Sequence, residues 1–126
     1  KPTEEIESII TDEDVLKIRE EVKSIHVEDS VKDYIITIVQ ATRSHPDIYL
    51  GCSPRGSLTL LNACRGLAYI RGRDHVLPDD VKELAEAVLN HRIILKPEAK
   101  MKGISVEDII YSIISSIRVP LVSRNV

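Results

Sequence analysis

Along this chain apolar residues recur at intervals of three and four, in blocks separated by short stretches marked by proline, glycine or acidic residues. That spacing belongs to helix faces rather than to strands. The first block, Val15, Ile18, Val22 and Ile25, follows Thr11 and Asp14, a variant capping box, and predicts an amphipathic helix over 12–24. Val31, Tyr34, Ile35, Ile38, Val39 and Ala41 form the stripe of a second helix over 29–44. Glu28 or Asp29 caps it, and it ends ahead of Pro46 because the residue before a proline avoids helical angles. Asp47-Ile48-Tyr49-Leu50-Gly51 is too short to anchor a sheet by itself. It leads into Ser53-Pro54, a cap residue followed by proline at the first helical position, where a third helix starts.

In that third segment Leu58, Leu60, Leu61, Ala63, Leu67, Ala68 and Ile70 put apolar side chains on more than one face, the mark of a central helix, with a stop near Gly72. Pro78-Asp79-Asp80 restarts the chain, and Val81, Leu84, Ala85, Val88 and Leu89 carry a fourth helix to about His91. Pro97 to Gly103 reads as a turn region. Ser105 with Asp108 resembles another capping box, opening Val106, Ile109, Ile110, Ile113, Ile114 and Ile117. Isoleucine is β-branched and suits a strand equally well, but the i, i+3, i+4, i+7 spacing selects a fifth helix. With short connections and no internal repeat, the expected architecture is an all-α bundle of four to five helices. Residues 1–10 read as a leading segment, 11–121 as the bundle and 122–126 as a tail.

A chain of 126 residues supports one core, and 43% apolar with 29% charged residues is the balance of a globular domain, not of a disordered tail. Trp and Phe are absent, so Ile, Leu, Val and Ala must fill the core, and four scattered Tyr give no stacking platform for bases. The net charge of −3, without a basic stripe, argues against a nucleic-acid partner. No apolar run approaches the roughly 18 residues of a membrane span, and Lys1-Pro2-Thr3-Glu4-Glu5 lacks the apolar region of a signal peptide, so the expected address is cytoplasmic, without a membrane. Cys52 and Cys64 are too few for a disulfide scaffold and lack the neighbours of a metal knuckle. At ~1.5 Å of rise per residue along the third helix they lie roughly 16 Å apart, beyond the about 7 Å that a disulfide spans. Free thiols and no metal are expected.

The segment Gly51-Cys52-Ser53-Pro54-Arg55-Gly56-Ser57 has the two-glycine spacing of a phosphate-cradling loop. Such a loop needs Lys directly after the second glycine and free backbone N–H groups between. Here Ser57 takes the Lys position and Pro54 removes a donor. As a helix start the segment is more informative: Ser53 caps, Pro54 opens the helix, and Arg55 stands in the first turn, where the dipole is positive and an anion is welcome. A solvated arginine is the plainer account of Arg55. His26, His45, His75 and His91 share no ligand spacing. His91 and Arg92 complement the negative end of the fourth helix, and that structural account suffices for both. Glu4-Glu5, Glu20-Glu21 and Asp79-Asp80 read as solvated faces or first-turn charges, and no nucleophile–base arrangement can be argued.

Taken in order, Gly51-Cys52-Ser53-Pro54-Arg55, Arg71-Gly72-Arg73-Asp74, Pro78-Asp79-Asp80-Val81 and His91-Arg92 resemble the C-terminal lid subdomain of MoxR-family AAA+ ATPases. His26-Val27 and Gly103-Ile104-Ser105-Val106-Glu107-Asp108 extend the likeness from about Ile10 to Leu121. The resemblance implies that Arg55 is the sensor-2 residue, reaching toward ATP phosphates, with Ser53 and Pro54 positioning its helix. It also implies that ATP and Mg²⁺ are bound mainly by a large AAA+ subdomain of the same chain, next to neighbouring ring subunits, and that nucleotide turnover drives chaperone-like remodelling. Cys52, His75 and Leu77 depart from the family pattern, standing where a small apolar residue, an aromatic and a hydroxyl cap are usual. Walker A and Walker B motifs have no match in this sequence, so the lid alone is expected to hydrolyse no ATP. The alternative is a stand-alone helical interaction module that binds a peptide between its helices. A helix-turn-helix DNA binder conflicts with the charge.

Overall fold

The computed structural model describes residues 6–122. In chain order it contains α1 (Asp12–Lys23), α2 (Asp29–Ser44), β1 (Ile48–Leu50), α3 (Pro54–Ile70) and α4 (Pro78–Leu89). A 3₁₀ turn (Asn90–Arg92), β2 (Ile94–Leu95), α5 (Pro97–Met101) and α6 (Val106–Ser116) follow. The all-α bundle is therefore the architecture, with a two-stranded antiparallel ribbon, β1 against β2, at one edge. Two features depart from expectation. Ile48–Leu50 becomes a strand because Ile94–Leu95 supplies its partner, and the turn region at 97–103 holds the short helix α5, opened by Pro97. Residues 1–5 of the leading segment, with Glu4-Glu5, and residues 123–126 of the tail lie outside the described residues.

Both predicted capping boxes form. Asp14 N–H donates to Thr11 Oγ1 at 3.1 Å while Thr11 N–H donates to Asp14 Oδ2 at 3.0 Å. Ser105 and Asp108 repeat the exchange at 3.1 and 3.2 Å. α2 begins after Glu28, whose side chain makes no cap bond. α3 ends at a residue pair where Gly72 takes φ 74°, the left-handed angle that lets the chain turn off the helix.

The core gathers Val31, Ile35, Ile38, Leu60, Val81, Leu89 and Ile110 from α2, α3, α4 and α6. α3 buries only one stripe, Gly56, Leu60, Cys64 and Ala68, whereas Leu58 is 57% and Ile70 81% exposed. Its other apolar face, read from the sequence, is only partly covered: Leu61 and Tyr69 pack half-buried against the core while Leu58 and Ile70 stay exposed. α1 buries no residue fully and rests on α3, held where the Tyr69 hydroxyl meets the Glu21 carboxylate and where Arg65 Nε donates to the Ile25 carbonyl at 3.2 Å.

Asp80 corrects a second expectation. Far from being solvated, it is 1% exposed and closes the α3–α4 connection. Its two oxygens take a bidentate pair of bonds from Arg73 at 2.8 and 2.6 Å, and Oδ2 also accepts from Leu77 N–H at 2.8 Å. Arg73 continues to the His75 carbonyl, and Arg71 reaches Glu83 at 2.7 Å. Leu77 has no hydroxyl for the Asp80 N–H, which bonds the Leu77 carbonyl at 3.0 Å instead, while the Asp80 carboxylate supplies the other half of a capping box to Leu77 N–H. The same connection pairs with the α1–α2 connection, His26 N–H donating to Asp74 O and Val76 N–H to His26 O. Asp80→Ala should cost about 2 kcal/mol, because it strands the partly buried Arg73 guanidinium and frees a helix-start N–H. Urea unfolding with an unchanged slope checks this, and a loss below about 0.5 kcal/mol would show the clasp to be dispensable.

Candidate functional site

The chain reaches α3 by passing over the end of α2. A Cβ on Gly51 would lie 2.4 Å from the Thr42 carbonyl oxygen and 2.8 Å from Arg43 Cα, so glycine is required there by close approach. Thr42, buried, donates its hydroxyl to the Val39 carbonyl at 2.6 Å and accepts from Cys52 N–H at 3.0 Å. Cys52 packs behind this bond with its thiol 4.0 Å from the Leu89 carbonyl; burial pushes its pKa up, against the lowering effects of the Thr42 bond and the Arg92 charge. Cys64, one face further along α3, is pushed up to about 12 by burial and by the charge of Asp80. Both cysteines are free and buried, and neither is a poised nucleophile.

From this anchor α3 begins at Pro54, with Ser53 extended at the cap position. The Ser53 hydroxyl makes no cap bond, which corrects the expected capping. The reason is local: Gly56 N–H, the donor such a hydroxyl would take, already bonds the Ser53 carbonyl at 2.9 Å. Pro54 stands at the first helical position as expected. Arg55 follows, exposed, and its guanidinium has no hydrogen bond or ion pair among the described residues, while its carbonyl accepts from Thr59 Oγ1. The first turns of α1, α4 and α6 carry acidic residues, and that of α3 carries none.

A contact that no sequence signal reveals comes from the 3₁₀ turn after α4. The stem of Arg92 crosses α3 at Gly56, its Cδ 3.9 Å from where a Gly56 Cβ would stand, and its Nε donates to the Val88 carbonyl at 3.1 Å. The carbonyl bond agrees with the helix-end role read from the sequence; the contact with Gly56, the residue after Arg55 in the chain, is new. The histidines are not brought together as a ligand set. His26 and His75 meet through backbone, His75 Nδ1 lies 2.8 Å from Asp74, and His45 Nδ1 accepts from Asp47 N–H. Between α2 and α3, next to the site, Ile35, Ile36, Pro54, Leu58 and Leu61 line a cavity of about 260 Å³.

Residues 40–113 match the family described as AAA lid domain, a stretch that contains the Ser53-Pro54-Arg55 helix start, the Arg73–Asp80 clasp and Arg92. The chain belongs to that family. The lid is 45% identical over 120 residues to the uncharacterized protein YeaC of Bacillus subtilis, covering 95% of this chain and 38% of that one. It is 34% identical over 124 residues to Chaperone MoxR1 of Mycobacterium tuberculosis, covering 91% of this chain and 33% of the relative. The crystal structure of a candidate ATPase from Cytophaga hutchinsonii superposes with a TM-score of 0.86 at 35% identity, over 91% of this chain and 38% of that one. The likeness to MoxR-type lids is thus shown, and the lid spans 33–38% of the length of these relatives.

Proposed function

We propose that this lid closes over ATP bound on the large AAA+ subdomain of the same chain, and that Arg55 is its sensor-2 residue. The observation that carries the reading is the uncompensated Arg55 guanidinium on the first turn of α3, a turn pinned through Gly51, Thr42 and Cys52 to the end of α2. An arginine at a positive helix end without a carboxylate is unfavourable by itself and favourable beside a phosphate, so the residues present fit a nucleotide. When bound, ATP with Mg²⁺ supplies the scissile phosphoanhydride. The lid's part is to exclude water, place one guanidinium at the phosphates and transmit its own swing to the rest of the assembly.

That swing is the element that couples turnover to chaperone-like remodelling. The uncovered faces of α1 and α3 and the cavity between α2 and α3 are the surfaces available to the large subdomain or to a neighbouring ring subunit. Among the described residues no helix is long and apolar enough to cross a membrane. Amide hydrogen exchange on the full-length protein tests the reading. Saturation with a non-hydrolysable ATP analogue and Mg²⁺ should slow exchange at 53–57, and unchanged exchange there at saturation would overturn closure over the nucleotide.

A further inference from the structure

We infer that Arg92 is a second phosphate-facing residue, held beside Arg55 so that two guanidiniums bracket the terminal phosphate of a nucleoside triphosphate; this rests on the reading of Arg55 above. Four arginines sit at the two ends of the α3–α4 pair. At the end where α3 stops, Arg71 and Arg73 are neutralised by Glu83 and Asp80. At the end where α3 starts, Arg55 and Arg92 have no carboxylate partner among the described residues. Within the α3–α4 pair the arginines are therefore matched with carboxylates at one end and left without them at the other.

Arg92 is also oriented rather than free. Its Nε is tied to the Val88 carbonyl, and its stem lies across Gly56, the residue after Arg55. Of the five guanidinium N–H donors, that bond uses one, leaving both terminal amino groups with the planar fork that suits phosphate oxygens. The two arginines come from different elements, one from the first turn of α3 and one from the turn after α4, so a phosphate between them would join those elements. The bond to Val88 and the contact at Gly56 restrict the exposed Arg92 side chain and so reduce the rotamer freedom it has left to lose on binding.

The experiment is equilibrium binding of a non-hydrolysable ATP analogue and of ADP, each with Mg²⁺, to the full-length ATPase and to its Arg92→Gln, Arg92→Lys, Arg55→Ala and doubly substituted Arg55→Ala, Arg92→Gln forms. Arg92→Gln should weaken the analogue about five- to twentyfold and ADP less than about twofold, since loss of a charge-assisted bond to one phosphate is read only where that phosphate exists. Arg92→Lys should recover part of the loss, and the double substitution should cost less than the product of the single ones, because both groups serve one phosphate. Wild-type affinity in Arg92→Gln, with analogue binding still lost in Arg55→Ala, would overturn this inference and leave the sensor-2 reading standing. Equal weakening of analogue and ADP, together with a lowered melting temperature, would reduce Arg92 to its Val88 bond and likewise overturn it. Wild-type affinity in both single variants would overturn this inference, and the sensor-2 reading falls with it only if Arg55→Ala also keeps wild-type turnover.

Discussion

Arg55→Ala in the full-length ATPase should slow ATP turnover about ten- to hundredfold while leaving helical content unchanged and stability within about 0.5 kcal/mol of wild type. The two halves of that expectation have different sources. Arg55 is exposed and contacts nothing charged among the described residues, so its truncation removes no packing and strands no partner. A charge-assisted bond to a phosphate, by contrast, is worth roughly 1.5–3 kcal/mol, which is the stated range in rate if the bond strengthens in the transition state. If it is equally strong before the transition state, the loss appears in nucleotide affinity and turnover at saturation is spared. Steady-state kinetics with a nucleotide titration separates the two. Wild-type turnover together with wild-type affinity would return Arg55 to the plain reading of a solvated arginine.

Gly51→Ala should destabilise the lid by about 3 kcal/mol or more, at the top of the range for overpacking. Its Cβ would stand 2.4 Å from the Thr42 carbonyl oxygen and 2.6 Å from its carbon, main-chain atoms of a helix end that cannot move without breaking the Cys52–Thr42 bond. Gly66→Ala is the matched control, with nothing within 4 Å of the added carbon on the half-buried middle of α3. There the same change should stabilise by about 0.5–1 kcal/mol, because alanine loses less backbone entropy in a helix. Thermal unfolding of the two variants should therefore shift in opposite directions. A Gly51→Ala lid as stable as wild type would mean that β1 does not pass over α2 as described, and would loosen the platform on which Arg55 stands.

The helices were legible in the sequence because their determinants are local. Thr11 with Asp14 and Ser105 with Asp108 are three residues apart and close their own boxes, so the starts of α1 and α6 could be read without knowing what packs on them. The stripes of α2 and α4 behave likewise, since one face of each meets one core. Where a segment's role depends on a partner distant in the chain, local reading runs out. Ile48–Leu50 is a strand only because Ile94–Leu95 lies beside it, and Asp80, a first-turn charge as read, is a buried clasp rather than a solvated one only because the chain turns at Gly72 and returns Arg73 to it.

The candidate site divides in the same way. Ser53-Pro54-Arg55 marks a helix start and a cation in its first turn from residue types alone, since proline's fixed φ and missing donor, and the dipole, act within one turn. Three-dimensional packing decided what surrounds that cation. Gly51 and Thr42 fix the height of the turn over α2, Gly56 admits the stem of Arg92, and the Ser53 hydroxyl is left without its cap bond because a backbone carbonyl has taken the donor. Those relations pair residues on separate elements, and their energies depend on distances that only the assembled bundle sets. Helical periodicity and capping are properties of a few neighbouring residues, whereas close approach, burial and charge compensation belong to the whole fold.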